Sequence, residues 1–250
     1  MLRRIFIGML CLTLVSCKSL VEKYKRSSSG TSSVDKRVLY DFRSPFQFAK
    51  PPVDDKTVSM LLATNDKGTC TSRQPTPQVE SLAEGSFTYA AEKETAYLVV
   101  PWRCSPENRL IVFSGSKLQA ASDTSFNTIL KTYDLNGDDK NEMLLGVETT
   151  KDGVTDREAS LVDFEKNTLH TVEDFGTVYH DPCALFRNAD ARTKQELIAG
   201  GRQPMVETVV VWYLPRPGNQ MPSFTAVRYH APCPATPGTP PTGWTQLGER

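Results

Sequence analysis

Short runs of apolar, β-branched and aromatic residues recur roughly every ten to fifteen positions from Val38 onward, divided by Gly, Asn, Asp and Ser. Runs of that length bounded by turn formers predict strands. They are expected to begin near Val38, Val58, Phe87, Ala96, Leu110, Lys117, Ile129, Met143, Ala159, Leu169, Val206 and Phe224. Phe87, Tyr89 and Ala91 stand opposite Tyr97, Val99 and Pro101 across the polar segment Glu92 to Thr95, which predicts a hairpin with period-two faces. A second hairpin is expected from Leu161 to Phe164 and Leu169 to Val172, turning at Glu165-Lys166-Asn167. Only Gln78 to Glu84 and Asp190 to Leu197 read as helical, and both are short. The prediction is a mainly-β body of antiparallel sheets, propeller-like or a sandwich or barrel, with one or two short helices. A single domain is expected over residues 38–233, followed by a C-terminal tail over 234–250. The tail's run Pro234-Ala235-Thr236-Pro237-Gly238-Thr239-Pro240-Pro241 lacks the backbone donors a ladder needs, and Trp244 is the one residue in it suited to docking.

The N-terminus follows a different pattern. Arg3 and Arg4 precede an apolar run from Ile5 to Val15, then Ser16 and Cys17. This is the layout of an export signal, and the run is about half the roughly 20 residues needed to span a bilayer. The segment Leu14-Val15-Ser16-Cys17 resembles the lipobox of bacterial lipoproteins. That resemblance implies removal of residues 1–16, acylation of Cys17 with palmitate-class chains, and attachment to the cell envelope. Lys18 in the second mature position implies the outer membrane in a Gram-negative cell. Several acyl chains anchor stably where one is marginal. The stretch Lys18 to Arg37 carries six basic and two acidic residues around a Ser/Gly/Thr run. It reads as a flexible tether, 17–37 with the lipidated cysteine, reaching about 25 Å.

Charge narrows the partners. The 29 basic residues less Arg3 and Arg4 leave 27 against 29 acidic, a mature net charge of −2, which disfavours nucleic acid. The mature body keeps Cys70, Cys104, Cys183 and Cys233 beside Cys17. An even number in an oxidising compartment points to two disulfides. Four cysteines allow three pairings and the sequence does not choose among them; the favoured pairing is Cys70 with Cys104 and Cys183 with Cys233. An internal echo bears on the second pair: Tyr179-His180-Asp181-Pro182-Cys183 and Tyr229-His230-Ala231-Pro232-Cys233 share Tyr-His-x-Pro-Cys. If these are equivalent strand ends side by side, the cysteines meet. His180, Cys183, His230 and Cys233 also form a rival zinc set, which oxidation disfavours.

The segment richest in chemistry is Asp134-Leu135-Asn136-Gly137-Asp138-Asp139-Lys140-Asn141-Glu142, between two apolar runs. Oxygen-bearing side chains at its first, third, fifth and ninth positions suit Ca²⁺, which takes six to eight oxygens. It is not an EF-hand, since Asp139 holds the glycine position and Leu145 the closing glutamate position. It resembles the strand-loop-strand calcium motif of integrin-type FG-GAP and VCBS repeats over Ile129 to Gly146. The resemblance implies Asp134, Asn136, Asp138 and Glu142 as ligands, with Lys140 giving its backbone carbonyl, and calcium as a structural ion. Asp139 departs from the motif's usual glycine, a left-handed position that Asp tolerates better than most residues.

Catalytic signatures are missing. The three histidines, His170, His180 and His230, accompany no Gly-x-Ser-x-Gly, no His-Glu-x-x-His and no phosphate-binding loop. Asp54 with Asp55, and Asp152 with Asp156, read as solvated charges. The sequence therefore points to an envelope-tethered binding or structural module with a protein or glycan ligand. The competing readings are an envelope hydrolase assembled from scattered residues and an accessory subunit of an outer-membrane complex.

Overall fold

The computed structural model describes residues 36–44, 46, 50–64, 78–100, 108–236 and 239–249. The lipobox, Cys17, nearly all of the tether, and the expected Cys70–Cys104 pair lie outside the described residues. The chain divides into Met1–Lys36 and a body, Arg37–Arg250.

The body is mainly antiparallel β. Its strands are β1 (Arg37–Asp41), β2 (Val79–Gly85), β3 (Glu94–Val99), β4 (Asn108–Ser114), β5 (Lys117–Thr124), β6 (Thr128–Tyr133), β7 (Glu142–Lys151), β8 (Val154–Glu165), β9 (Thr168–Asp181), β10 (Met205–Leu214), β11 (Ser223–Pro232) and β12 (Thr245–Glu249). Among the described residues three short helices accompany them: α1 (Asp55–Ala63), α2 (Ala184–Asn188) and α3 (Ala191–Ala199). None of the described helices is long and apolar enough to cross a membrane. One sheet runs β2-β3-β4-β5; the other runs β12-β11-β10-β9-β8-β7-β6, with β1 added on β10.

The larger sheet buries both faces of its middle strands. Met143, Leu145, Val162 and Phe164 pack with Ala96, Leu98, Leu110, Val112 and Phe87 from the smaller sheet and its loop. The alternate residues Leu144, Ala159 and Leu161 pack the other way, against Leu39, Phe42, Val209 and Val211. A sheet can meet its own far strands only if it curls. The pairing of β8 with β9 slips at three places, between Arg157 and Glu158, Ala159 and Ser160, and Leu161 and Val162. Each bulge adds twist and bend. Gly176, opposite Ala159, takes φ +61°, and Asp174 pins the bend by accepting hydrogen bonds from the Ser160 hydroxyl (3.0 Å) and the Gly176 N–H (3.0 Å). Two serines join the sheet margins: Ser81 Oγ accepts from Ile129 N (3.1 Å) and donates to Ile129 O (3.3 Å), and Ser122 Oγ accepts from Leu169 N (3.3 Å).

The second expected hairpin forms as read, with Glu165 opposite Thr168 and the turn residues Lys166 and Asn167 at φ +50° and +67°. Both central residues left-handed is the type I′ signature that matches strand twist. The helix expected at Asp190 is α3, with Asp190 as N-cap accepting from Thr193 N (2.9 Å).

Four expectations are corrected. Gln78 to Glu84 is not helical: its Leu, Ala and Glu favour helix, but Val79–Gly85 pairs along β3, and pairing outweighs so weak a preference. The first hairpin's outer arm is therefore β2, and Phe87 to Ala91 is a bent loop. Phe87 still reaches the core, because the buried Glu94 carboxylate accepts the N–H groups of Phe87 and Thr88 and the Thr88 hydroxyl. Near Val58 there is no strand but α1, whose N-cap Asp54 accepts from Thr57 N (2.7 Å). Its Leu61 seals the outer face of the smaller sheet on Val79, Val99, Ile111 and Phe113. In the C-terminal segment the described residues of the Pro-rich run lie outside the ladders, whereas Trp244 packs beside the Cys183–Cys233 cluster and Thr245–Glu249 pairs with β11.

The echo is explained by register. β9 and β11 occupy opposite edges of β10, so Tyr179, Thr208 and Tyr229 align, as do His180, Glu207 and His230. The two copies leave their strands at the same level, and Cys183 and Cys233 form a disulfide, Cα–Cα 5.6 Å, closing 50 residues. Both sulfurs are buried with Tyr179, Phe186 and Val206. Cys183→Ser is expected to cost about 2–5 kcal/mol in denaturant unfolding, with an unchanged far-UV spectrum below the transition.

Candidate functional site

The acidic loop joins β6 to β7, whose ladder ends at the pair Tyr133 and Glu142. Gly137 and Asp139 take φ +74° and +63°, so Asp139 adopts the left-handed backbone that the loop requires. Each expected ligand side chain folds back into the loop. Asp134 Oδ1 accepts from Gly137 N (2.7 Å), Asn136 Oδ1 from Asp138 N (3.1 Å), Asp138 Oδ1 from Lys140 N (2.9 Å), and Glu142 Oε2 from Leu135 N (2.8 Å). The β2–β3 connection braces this turn from outside: Asp139 O accepts from Ala91 N (3.1 Å), and Asn141 Oδ1 accepts from Ser86 N (2.8 Å). Gly85 leaves the room, since a Cβ there would lie 2.7 Å from Asn141 Oδ1.

Glu142 is the electrostatic centre of the loop. It is 2% exposed, and burial raises its pKa to about 7, with the charges of Asp138 and Asp134 pushing the same way and the Leu135 N–H opposing them. The donor set is all oxygen, which fits a hard cation such as Ca²⁺. Asp134, Asp138 and Glu142 are not among the described residue sets whose ligand atoms all lie within 4.8 Å of one another. Lys140 turns its side chain away, Nζ donating to Phe164 O at 3.4 Å.

A second polar region lies where β9 leaves β10. Only Tyr179 and His180 of β9 pair with β10, and β1 takes over that edge from Val210. The opening is a cavity of about 430 Å³ lined in part by Gly176, His180, Glu207, Thr208 and Arg228. It adjoins another of about 310 Å³ bounded by Glu173, Asp174, Phe175, Phe224 and Ala226. His180 Nδ1 lies 2.6 Å from Asp156 Oδ1, so Asp156, read from sequence as a solvated charge, is a partner of histidine. Nothing in the spacing of residues 156 and 180 signals this contact; it follows from the β8–β9 register. The rival zinc set is not assembled, because both its thiols are in the disulfide.

Comparison with known protein families, characterised proteins and solved structures finds no match. The chemistry of these sites therefore rests on their own side chains. A carboxyl whose folded pKa is raised binds more protons in the folded than in the unfolded state, so its contribution to stability falls as pH rises from its ordinary value near 4.5 to about 7. With chelator present, the melting temperature is expected to drop across that window, and Glu142→Gln should flatten the drop. An unchanged slope in Glu142→Gln would assign the effect to other groups.

Proposed function

We propose that this chain is a lipid-anchored envelope protein whose β body is a binding or structural module stiffened by Ca²⁺ in the loop Asp134 to Glu142. The observation that carries the calcium reading is the buried Glu142 carboxylate held beside Asp134 and Asp138, with each loop side chain folded inward. Three like charges in one turn repel, and a dication neutralises them. Asp134, Asn136, Asp138 and Glu142 supply side-chain oxygens and Lys140 its carbonyl. The ion ties the end of β6 to the start of β7, whose Met143, Leu144 and Leu145 lie in both cores. It acts structurally and takes no part in a reaction. The lipobox-like tetrad supports the anchor, and the basic stretch after it suits an anionic membrane surface.

The two adjoining cavities between β9 and β11 are the proposed ligand-binding cleft. Charged Glu207 and Arg228 at one end and the edge-to-face pair Phe175 and Phe224 (5.9 Å) at the other suit a glycan or a polar peptide segment. The Asp156–His180 pair favours a second reading, hydrolysis. A carboxylate on Nδ1 orients an imidazole as a general base, and loss of a hydrolytic activity in His180→Gln would select this reading.

Two measurements test the proposal. Extracellular calcium modules bind at about 10⁻⁴ to 10⁻³ M, and a ligand at a hundredfold its Kd stabilises by about 2.7 kcal/mol. The melting temperature is expected to rise with calcium, and Asp138→Ala should abolish the rise while leaving the metal-free protein little changed or slightly more stable. Identical melting curves in chelator and in millimolar calcium would reduce the loop to an acidic turn. For the anchor, mass spectrometry of the mature N-terminus should show acylated Cys17, and Cys17→Ser should move the protein from membranes to the soluble fraction. A mature chain starting at another residue rejects it.

A further inference from the structure

Beyond the acidic loop, at the end of the β8–β9 hairpin, Asp163 and His170 stand directly opposite each other, and Glu165 follows two residues along β8 on the same face. The ligand atoms of these three side chains all lie within 4.8 Å of one another. His170 Nδ1 is 3.4 Å from Asp163 Oδ1. That same oxygen is shielded from solvent and accepts no hydrogen bond. This oxygen, closed off from water with only an imidazole nitrogen at ion-pair distance and a second carboxylate nearby, is placed to take a cation. We propose that Asp163, Glu165 and His170 form a surface site for a divalent transition-metal ion, of which Zn²⁺ is the representative.

The donor types separate this site from the calcium loop. Imidazole suits zinc and its neighbours, whereas calcium takes oxygens. Three protein ligands leave a position open to water or to a group from a partner. The scaffold is rigid, because Val162 and Phe164, which alternate with the ligands, are 1% exposed in the core. Lys140 is the opposing group: its Nζ binds the Phe164 carbonyl, and its charge acts on Asp163. That positive charge opposes a cation bound at the triad. Among the described residues the other close set, Asp181 with Cys183 and Cys233, has its sulfurs joined in the disulfide.

The test is calorimetric titration of the full-length protein with Zn²⁺ in millimolar calcium, with the disulfide intact, and a parallel titration with Co²⁺ followed by its visible spectrum. One equivalent of zinc is expected, with cobalt giving a ligand-field spectrum that zinc bleaches. His170→Gln and Glu165→Gln, both at exposed side chains, and Asp163→Asn should each lose this binding. Asp138→Ala should retain it, and Lys140→Met should tighten it. Melting curves of the exposed-site variants verify that they fold, so the proposal stays decidable if Asp163→Asn does not. Zinc binding that persists in His170→Gln, zinc that calcium displaces, or no zinc binding at all overturns the proposal.

Discussion

The middle strands of the larger sheet carry apolar residues on both faces, and every other feature of the body follows from burying the two faces at once. Leu144 and Leu145 are adjacent in β7 and both fully buried, one in each core. A flat antiparallel sheet with this pattern would leave one face in water, losing about 1.5–3 kcal/mol for each large side chain exposed. The smaller sheet covers one face. The other is covered by β1, β10 and β11, strands of the same sheet, which reach it because three bulges in the β8–β9 pairing bend the ladder. Ser160, Asp174 and Gly176 hold that bend with hydrogen bonds and a left-handed backbone.

Curling a sheet over its own strands has consequences at the bend. β9 cannot follow the bend and stay paired along β10, so it meets β10 only at Tyr179 and His180, and the cleft beside His180 and Glu207 is the gap that results. The disulfide closes the same corner from behind, linking the ends of β9 and β11 across β10. Arg157 is buried nearby and satisfied on three sides, by an ion pair to Glu148 (2.6 Å) and by the rings of Tyr179 (4.2 Å) and Phe46 (5.1 Å). A guanidinium stacked on aromatics and paired to one carboxylate meets the requirement that a buried charge be compensated.

Buried carboxylates hold the loops at the other end. Glu94 takes up the orphan N–H groups that follow β2, and Glu142 takes up the Leu135 N–H at the head of the acidic loop. The two loops touch through Asn141 and Ser86, so the geometry of the acidic loop depends on the smaller sheet as well as on its own residues. The hairpin end bearing Asp163, Glu165 and His170 meets the loop through Lys140.

What is local was legible in the sequence. Period-two alternation marked most strands, Lys166-Asn167 marked a turn, Asp190 marked a helix start, and a loop joins the two apolar runs at Asp134 to Asn141, with Asp139 left-handed. Each depends on backbone sterics or hydrogen bonds spanning a few residues, which a short window contains. The repeated Tyr-His-x-Pro-Cys even carried a tertiary contact, because strands on both edges of one central strand share its register. Tertiary structure alone decided the rest. It made Val79–Gly85 a strand and Asp55–Ala63 a helix, since pairing with β3 and a seat for Leu61 on the smaller sheet outweigh intrinsic preferences of well under 1 kcal/mol per residue. It also set Asp156 against His180 and Asp163 against His170. The bulges that shift the β8–β9 register are long-range compromises between twist and two-sided burial, and no window of the sequence contains both sides of that balance.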